Sequence, residues 1–287
     1  MKRSLLALVF FLATTALAYG EASPSQMPAS PETKTTISGQ VKVKGKTPMT
    51  NGVVLLFNKM WGPPPHPYKY WRIPDIISET DKSGKFTVDV QEGTYYLMIA
   101  QKKPDGEIGP PKGNEFLYFH GNAKGDPKTI VVSAGSKVNL GVLSKSFIWS
   151  PKKVPHDGDL TAAEGIVANL ENTPVENAVV FAYFNSDAVG KPAFVSDRTD
   201  KNGRFQLRVY EGGTYYLKVR SIIGGGAPET GEYQNATKEF VPVEVLLTSG
   251  QQLKGITLKV DKFVGKGSTG TVKPDRIWKN TKKLQGK

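Results

Sequence analysis

The chain has 287 residues, and its 38 Lys and Arg against 26 Asp and Glu give a formal net charge of +12. It contains no cysteine, which excludes disulfides, thiolate metal sites, cysteine nucleophiles and a lipidated cysteine at a processed N-terminus. No segment approaches a run of about 20 apolar residues, the length that a membrane-spanning helix needs. We therefore expect no transmembrane segment.

The N-terminus has the three parts of a secretory signal peptide. Lys2 and Arg3 give a positive start, residues 5–13 are mostly apolar, and residues 16–18 (Ala-Leu-Ala) form a small-residue cleavage site. We predict a signal peptide over residues 1–18 and a protein that is periplasmic, extracellular or on the cell surface. The absence of cysteine favours a bacterium. Residues 19–34, rich in Ser, Pro and Glu, are predicted as a disordered lead-in.

Residues 35–143 have the pattern of an all-β unit. Residues 37–43 alternate apolar and polar side chains, as a half-buried strand does, and residues 52–57 form the apolar run of a buried strand. Phe86 and Val88 share one face of a later strand. Short strands with turn residues between them, and no segment of helical periodicity, predict an antiparallel β-sandwich.

An insert at residues 58–75 separates the second and third strands of this unit. It contains two Trp, two Tyr and five Pro within 18 residues. Because proline stiffens a loop, these aromatic rings could contact a sugar or a protein partner at low entropic cost. The alternative is that they pack over an open sandwich edge or onto another domain. The candidate binding residues are Trp61, Tyr68, Tyr70, Trp71 and Arg72.

A turn and a strand of this unit recur 119 positions later. Residues 80–86 (Thr-Asp-Lys-Ser-Gly-Lys-Phe) match residues 199–205 (Thr-Asp-Lys-Asn-Gly-Arg-Phe), and a Gly-Thr-Tyr-Tyr-Leu strand follows each copy. The repeat predicts two tandem sandwiches, residues 35–143 and 161–260, with a linker over residues 144–160. The Asp and Gly are typical of a hairpin turn, whereas a calcium loop would need further ligands.

The two tyrosines of each repeated strand should point to opposite faces of the sheet, because side chains alternate along a strand. Tyr95 and Tyr215 share parity with apolar residues, so we expect them in the core. Tyr96 and Tyr216 should then face outward.

Outside the insert, two places carry further candidate contact residues. One is the loop over residues 101–126, rich in Gly, Pro and Lys. The other is a basic and aromatic row at a spacing of two on the second copy, for which a solvated sheet face is the alternative. The candidates are Tyr118 in the loop and Tyr216, Lys218 and Arg220 in the row.

Residues 261–287 form a basic C-terminal tail with eight Lys or Arg against two Asp, a net charge of +6. Such a tail could steer the protein toward an anionic polysaccharide, lipid headgroups or an acidic protein. A tail that serves only for solvation is the alternative. Nucleic acid is not an expected partner of an exported protein.

The repeated elements resemble the carboxypeptidase regulatory-like domain. The matching elements of the first copy are Gly39-x-Val41, Gly52-Val53-Val54-Leu55, Thr80-Asp81-x-x-Gly84-x-Phe86 and Gly93-x-Tyr95-x-Leu97, and the second copy has the same order. The resemblance covers nearly all of residues 35–260. It implies two tandem antiparallel transthyretin-like β-sandwich domains and a non-catalytic accessory role.

A neighbouring family, the collagen-adhesin B-type repeats, shares the Gly-x-Tyr-x-Leu strand. Those domains often form an internal Lys–Asn isopeptide bond with the help of a carboxylate just after that strand. Here the corresponding residues are Met98, Ile99 and Ala100 in the first copy, and no acid follows in either copy. The comparison therefore predicts no isopeptide bond of that kind.

Candidate catalytic groups are sparse. His66, His120 and His156 are isolated in the sequence, and none begins a His-x-x-Glu motif. We expect no enzyme, no metal and no cofactor. The first hypothesis is an exported, non-catalytic binding protein of the bacterial cell envelope or exterior that contacts a polysaccharide or protein through the aromatic loops and basic tail. The alternative is a structural or assembly subunit whose aromatic insert is a protein–protein interface.

Overall fold

The computed structural model describes residues 34–101, 109–111, 113–122, 125–150, 160–223, 228–237 and 241–264. The predicted signal peptide, the lead-in up to residue 33 and the tail from residue 265 lie outside the described residues. All described residues fall within one compact unit.

Short strands make up the first half of the described chain. A 3-10 helix over Lys59–Trp61 interrupts them. In chain order the strands are β1 (Thr36–Val43), β2 (Thr47–Pro48), β3 (Gly52–Asn58), β4 (Trp71–Arg72), β5 (Ile76–Glu79), β6 (Lys85–Asp89), β7 (Gly93–Gln101), β8 (Phe116–Phe119), β9 (Ile130–Val132), β10 (Lys137–Leu143) and β11 (Phe147–Ile148).

The second half repeats this pattern with fewer strands. They are β12 (Thr161–Asn169), β13 (Val179–Tyr183), β14 (Phe194–Val195), β15 (Arg204–Val209), β16 (Gly213–Arg220), β17 (Tyr233–Asn235), β18 (Val243–Leu247) and β19 (Gln252–Lys262). No α-helix occurs among the described residues, which confirms the predicted all-β class.

The strands form four sheets. Sheet I contains β1, β2, β6 and β10, and sheet II contains β3, β5, β7, β8, β9 and β11. Sheet III contains β13, β14, β16 and β18 together with β4 from the first half, and sheet IV contains β12, β15, β17 and β19. Most pairs are antiparallel, as predicted, but β1 with β10 and β12 with β19 are parallel. The long connections between these strands permit parallel pairing.

Three hydrophobic cores separate the four sheets. One contains apolar residues of sheets I and II, such as Ile37 and Leu97, and another contains residues of sheets III and IV, such as Leu217 and Leu258. The third, which we call the middle core, joins the outer faces of sheets II and III. The two sandwiches therefore stack through their central sheets.

The middle core explains why Tyr96 is buried although its side chain leaves the sandwich core as predicted. The face it occupies is covered by the other sandwich, so the outward position is not solvated. Tyr216 on β16 is half-buried at the same core. The buried members are Phe57, Trp71, Ile73, Tyr96, Met98, Leu117, Trp149, Val179, Phe181, Tyr183, Ala188 and Val195.

The predicted linker contains ordered sandwich structure at its start. Strand β11 pairs with β8, and Trp149 is buried in the middle core. The indole Nε1 of Trp149 donates a hydrogen bond to the carbonyl of Pro67 over 2.8 Å. The structure of the first half thus continues to residue 149, because a large aromatic side chain gains most when it is buried.

The repeated Asp and Gly form hairpin turns, as predicted. Asp81 Oδ1 accepts hydrogen bonds from the backbone N–H groups of Ser83 and Lys85, at 2.8 and 2.9 Å. Asp200 makes the equivalent bonds in the second turn. Ser83 Oγ also donates to Asp81 Oδ1 over 2.8 Å. These hydrogen bonds lower the pKa of the Asp81 carboxyl, the side-chain bond from Ser83 most of all.

The threonine before each Asp is a buried hydrogen-bonding node. Thr80 Oγ1 donates to the carbonyl of Met49 and accepts from the N–H of Gly52, both over 2.7 Å. Thr199 does the same with Val175 and Ala178. Each hydroxyl satisfies two backbone groups that would otherwise be buried without partners.

Candidate functional site

The insert leaves its own sandwich and joins the other one. It begins at Asn58, whose side chain caps the 3-10 helix by accepting from the N–H of Met60 over 2.9 Å. It then forms β4, which pairs antiparallel with β14, so that Trp71 lies opposite Val195 and Arg72 opposite Phe194. The insert therefore extends sheet III by one strand, and it packs onto the second sandwich, as the alternative prediction held.

Most candidate residues of the insert are buried by this arrangement. Tyr70, Trp71 and Arg72 are buried and Tyr68 is half-buried, whereas Trp61 is 42% exposed. Tyr70, Trp71 and Arg72 are thus not exposed on the surface of this structure, and a binding role for them stays a prediction. Their apolar area is removed from water by the second sandwich, which stabilises the fold more than exposure on a loop would.

The aromatic rings of the insert contact aromatic residues from two other parts of the chain. Tyr68 stacks on Trp149 with an interplanar angle of 9° and a centroid distance of 6.3 Å. The ring centroids of Trp71 and Trp149 are 5.8 Å apart, and Tyr70 makes an edge contact with Phe194 at a centroid distance of 5.6 Å. These contacts fix the insert against the first half and the second half at once.

A hydrogen-bonded group around Asp197, which we call a polar node, strengthens the contact between the insert and the second sandwich, which we call the joint. The Asp197 carboxylate accepts from Trp71 Nε1 over 3.0 Å and from Arg208 Nη2 over 2.9 Å. Arg208 also donates to the carbonyl of Tyr68 over 2.9 Å. Burial lowers the pKa of Arg208, and the charge of Asp197 opposes that effect. The second sandwich thus holds the insert by charge-assisted hydrogen bonds.

A second polar node joins Arg72, Asp75 and Lys191, which we call the ionic triad. Arg72 Nη2 lies 2.8 Å from Asp75 Oδ2, and Lys191 Nζ contacts Asp75 Oδ1. The side chains of Arg72, Asp75 and Lys191 are 2%, 0% and 17% exposed. Arg72 and Asp75 belong to the insert, and Lys191 comes from the loop before β14. The triad is therefore a second bridge between the two halves.

Burial controls the protonation of these groups. Burial, together with the charge of Arg72, lowers the pKa of Lys191 to about 7. Burial also lowers the pKa of Arg72 to about 10. Desolvation and, to a smaller extent, the charge of Lys69 lower the pKa of His66. The Nδ1 atom of His66 accepts hydrogen bonds from the N–H groups of Tyr68 and Lys69. His66 therefore shapes the loop as a neutral acceptor.

A cavity of about 70 Å³ lies beside the insert, lined by side chains such as Phe57, Tyr70, Trp71, Ile73 and Met98. A ligand pocket for a small molecule usually measures ~300–1,000 Å³. The cavity is mainly apolar and small, so its geometry does not indicate a substrate site.

Tyr118 and the basic row occupy different surroundings. Tyr118 is buried in the core between sheets I and II, and its hydroxyl lies 3.1 Å from Nδ1 of His120. A binding role for Tyr118 stays a prediction. Lys218 Nζ donates to the carbonyl of Ala188 over 3.1 Å, and Arg220 lies 2.7 Å from Glu232. The row of Tyr216, Lys218 and Arg220 is thus half-buried and engaged with neighbouring loops, and a binding role for it stays a prediction.

Within the described ranges, no group of three or more His, Cys, Asp or Glu could hold a metal ion. The same part of the chain has no helix that is long and apolar enough to cross a membrane.

Comparisons with known proteins give distant structural matches. No protein-family model matches the chain, and no curated protein matches it. The TIE protein of Bacillus anthracis aligns at 13% identity over 79% of this chain and 34% of its own, with a TM-score of 0.25. GBS52, the minor pilin of Streptococcus agalactiae, aligns at 12% over 82% and 99%, with a TM-score of 0.25. BcpA, the major pilin subunit of Bacillus cereus, aligns at 11% over 79% and 99%, with a TM-score of 0.26.

This chain spans about a third of the TIE protein chain. At these TM-scores the alignments support no argument about this chain, so its fold class rests on the strand pairing.

Several residues of the joint were not candidates from the sequence. Asp75 pairs with Lys191, and Asp197 pairs with Arg208. Both pairs form only in the tertiary structure. One local signal existed, because Arg72 and Asp75 stand three residues apart inside a segment rich in Pro and aromatic residues. Charges in such a segment tend to be paired when they are buried.

Proposed function

We propose that this protein is an exported, non-catalytic structural or assembly subunit of a bacterial cell envelope. The observation that carries the proposal is the insert, whose aromatic residues build an internal joint between the two sandwiches. The buried rings of Tyr70 and Trp71 pack against the protein's own second half rather than facing a ligand. The chain's most distinctive segment therefore sets the arrangement of its two halves.

A fixed joint is a property that a structural subunit uses. Domains of one chain usually move relative to each other unless their interface is large and hydrophobic. Here twelve buried side chains fill the middle core, and two polar nodes cross it. We propose that the two sandwiches act as one rigid spacer or building block.

The family and the domain limits belong to the same proposal. The resemblance in the strands and turns supports two tandem carboxypeptidase regulatory-like domains of the transthyretin-like type, over residues 35–143 and 161–260. Trp149 favours a first domain that continues a few residues further. Export rests on the predicted signal peptide.

Chemical crosslinking in the native bacterium tests the assembly role. A tagged chain should fractionate with the envelope or exterior, and crosslinking should capture it as a discrete species with an envelope protein or with other copies of itself. A chain recovered only as an uncrosslinked monomer in the periplasm would contradict the proposal.

Polysaccharide binding is the second candidate, and the exposure of Trp61 favours it. This ring and the side chain of Met60, which is 85% exposed, lie in the 3-10 helix near the start of the insert. The Trp61→Ala variant should lose binding to isolated envelope polysaccharide by about tenfold, since stacking of one aromatic ring is worth on the order of 1 kcal/mol. Unchanged binding would exclude a role for this residue, and no binding by the native chain would exclude the candidate.

A further inference from the structure

The ionic triad places an amine against a carboxyl group in a site that is almost closed to water. Lys191 Nζ contacts Asp75 Oδ1 and lies 3.4 Å from the carbonyl of Ile73. The Asp75 side chain has no exposed surface. Groups held in contact in this way can react as if their concentrations were very high, with effective molarities of about 10⁵–10⁸ M.

The charge balance of the triad favours a neutral amine on Lys191. Arg72 already compensates the charge of Asp75, so a protonated Lys191 would leave one excess positive charge in a buried site. An unpaired buried charge is costly, and the group usually loses it by a shift of its pKa. The lowered pKa of Lys191, caused by burial and by Arg72, agrees with this count. A neutral amine is the nucleophilic form of lysine.

The other oxygen of Asp75 is held by two donors. Oδ2 accepts from the backbone N–H of Asn58 over 2.6 Å and from Arg72 Nη2 over 2.8 Å. Arg72 is fixed in turn by the carbonyls of Asn58 and Pro63, at 2.8 and 2.6 Å. Two fixed donors on one oxygen are the arrangement that stabilises the oxyanion formed when a nucleophile attacks a carboxyl carbon.

From this geometry we infer that Lys191 and Asp75 form an amide crosslink between the insert and the second sandwich. Lys191 Nζ attacks Cγ of Asp75, the Nζ–Cγ bond forms, and negative charge collects on Oδ2 between the two donors. The Cγ–Oδ1 bond then breaks, and Oδ1 leaves as water. Counted from the ion pair, the ammonium gives two protons to that water and keeps one on the amide nitrogen. If Lys191 starts as the neutral amine, it supplies one proton to the departing water and the second proton comes from solvent, because the Lys191 side chain is partly exposed.

The proposed crosslink is independent of the proposed function and differs from the isopeptide bond considered in the sequence. It joins Asp75 to Lys191, 116 positions apart, rather than a Lys to an Asn within one sandwich. The low water content of the site would protect the amide from hydrolysis.

Peptide mapping of the purified native chain tests the crosslink. Trypsin should cut after Arg72, Lys82, Lys153 and Arg198 but poorly between Lys191 and Pro192. We expect a branched product that joins residues 73–82 to residues 154–198, with the summed mass of the two peptides less one water, and loss of the two linear peptides. Fragmentation should place the missing water at Asp75 and Lys191.

Matched variants separate the crosslink from other modifications. Lys191→Met and Asp75→Ala should each release both linear peptides at full mass. Lys34→Ala is the control and should keep the branched product. Lys34 pairs with Asp89 over 3.2 Å on the exposed surface and takes no part in the ionic triad. Two linear peptides of full mass from the folded native chain would overturn the inference. So would a water loss confined to a linear peptide, for example as succinimide at Asp157-Gly158.

Discussion

Thr199, Asp200 and Gly203 each meet a separate requirement of the second repeated turn. The threonine hydroxyl satisfies two buried backbone groups, and the aspartate bonds the N–H groups of the turn. Gly203 has a φ of +70° and lies against the carbonyl of Val167. The hairpin was predictable because Asp and Gly act locally. The burial of the threonine was not, since its partners lie more than twenty residues away along the chain.

Gly203→Ala should destabilise the protein more than Gly190→Ala does. Both positions have positive φ, but a Cβ at Gly203 would lie 2.3 Å from the Val167 carbonyl oxygen, whereas nothing lies within 4 Å at Gly190. The left-handed conformation alone costs about 1–2 kcal/mol, and Gly203→Ala adds the cost of moving the strand backbone. Urea unfolding of both variants measures the difference, and equal losses would show that contact with Val167 is unimportant.

Tyr215 should make the protein sensitive to alkaline pH. Its hydroxyl donates to the carbonyl of Glu211 over 2.9 Å, and burial raises its pKa from 10.0 to about 12. Because the folded pKa is the higher one, this stabilisation is complete below pH 10 and is lost as the pH rises toward 12. Tyr215→Phe should therefore be less stable than the native chain at pH 8, and the gap should narrow by pH 11.5. A constant gap in the free energy of unfolding would contradict this assignment.

At the scale of elements, β4 is the part that could not be predicted. Two residues with no apolar periodicity give no strand signal, and the partner β14 is equally short. The composition of the insert did indicate that its aromatics would pack or bind, and both outcomes were open. Packing is favoured by residues outside the insert, because they supply charged partners for the insert's polar groups. These residues are Asp197, Arg208 and Lys191.

Asp197→Ala should weaken the attachment of β4. The change leaves Arg208, whose side chain is 1% exposed, without its carboxylate, and Trp71 without its acceptor. We expect a loss of roughly 1–3 kcal/mol, because the Asp197 side chain itself is 41% exposed and partly screened.

Asp89→Ala is the matched control for Asp197→Ala in chemical denaturation. Its ion pair with Lys34 is exposed on both sides, so the loss should stay within about 0.5 kcal/mol. Similar losses for the two variants would show that the Asp197 node does not hold the insert.

At the scale of the whole molecule, the stacking of the two sandwiches depends on two strands that are buried on both faces. β3 and β13 are apolar at almost every position, so both of their faces need cover. The sequence predicted them as buried strands, and the structure shows what buries the second face, which is the other sandwich. The class and the repeated turns were predictable because they depend on local patterns. The stacking was not, because it depends on the pairing of surfaces that lie far apart in the chain.

Replacing residues 60–74 by a short Gly/Ser loop should uncouple the two sandwiches. The replacement removes β4, Trp71 and Arg72, which together supply contacts to both polar nodes and to the middle core. We expect the native chain to unfold in one calorimetric transition, because its cores share the central sheets, and the replacement to unfold in two. Trp61→Ala, which changes an exposed side chain, should keep the single transition. One transition in the loop replacement would show that the direct contacts between sheets II and III are sufficient, and that the insert is not needed to join the sandwiches.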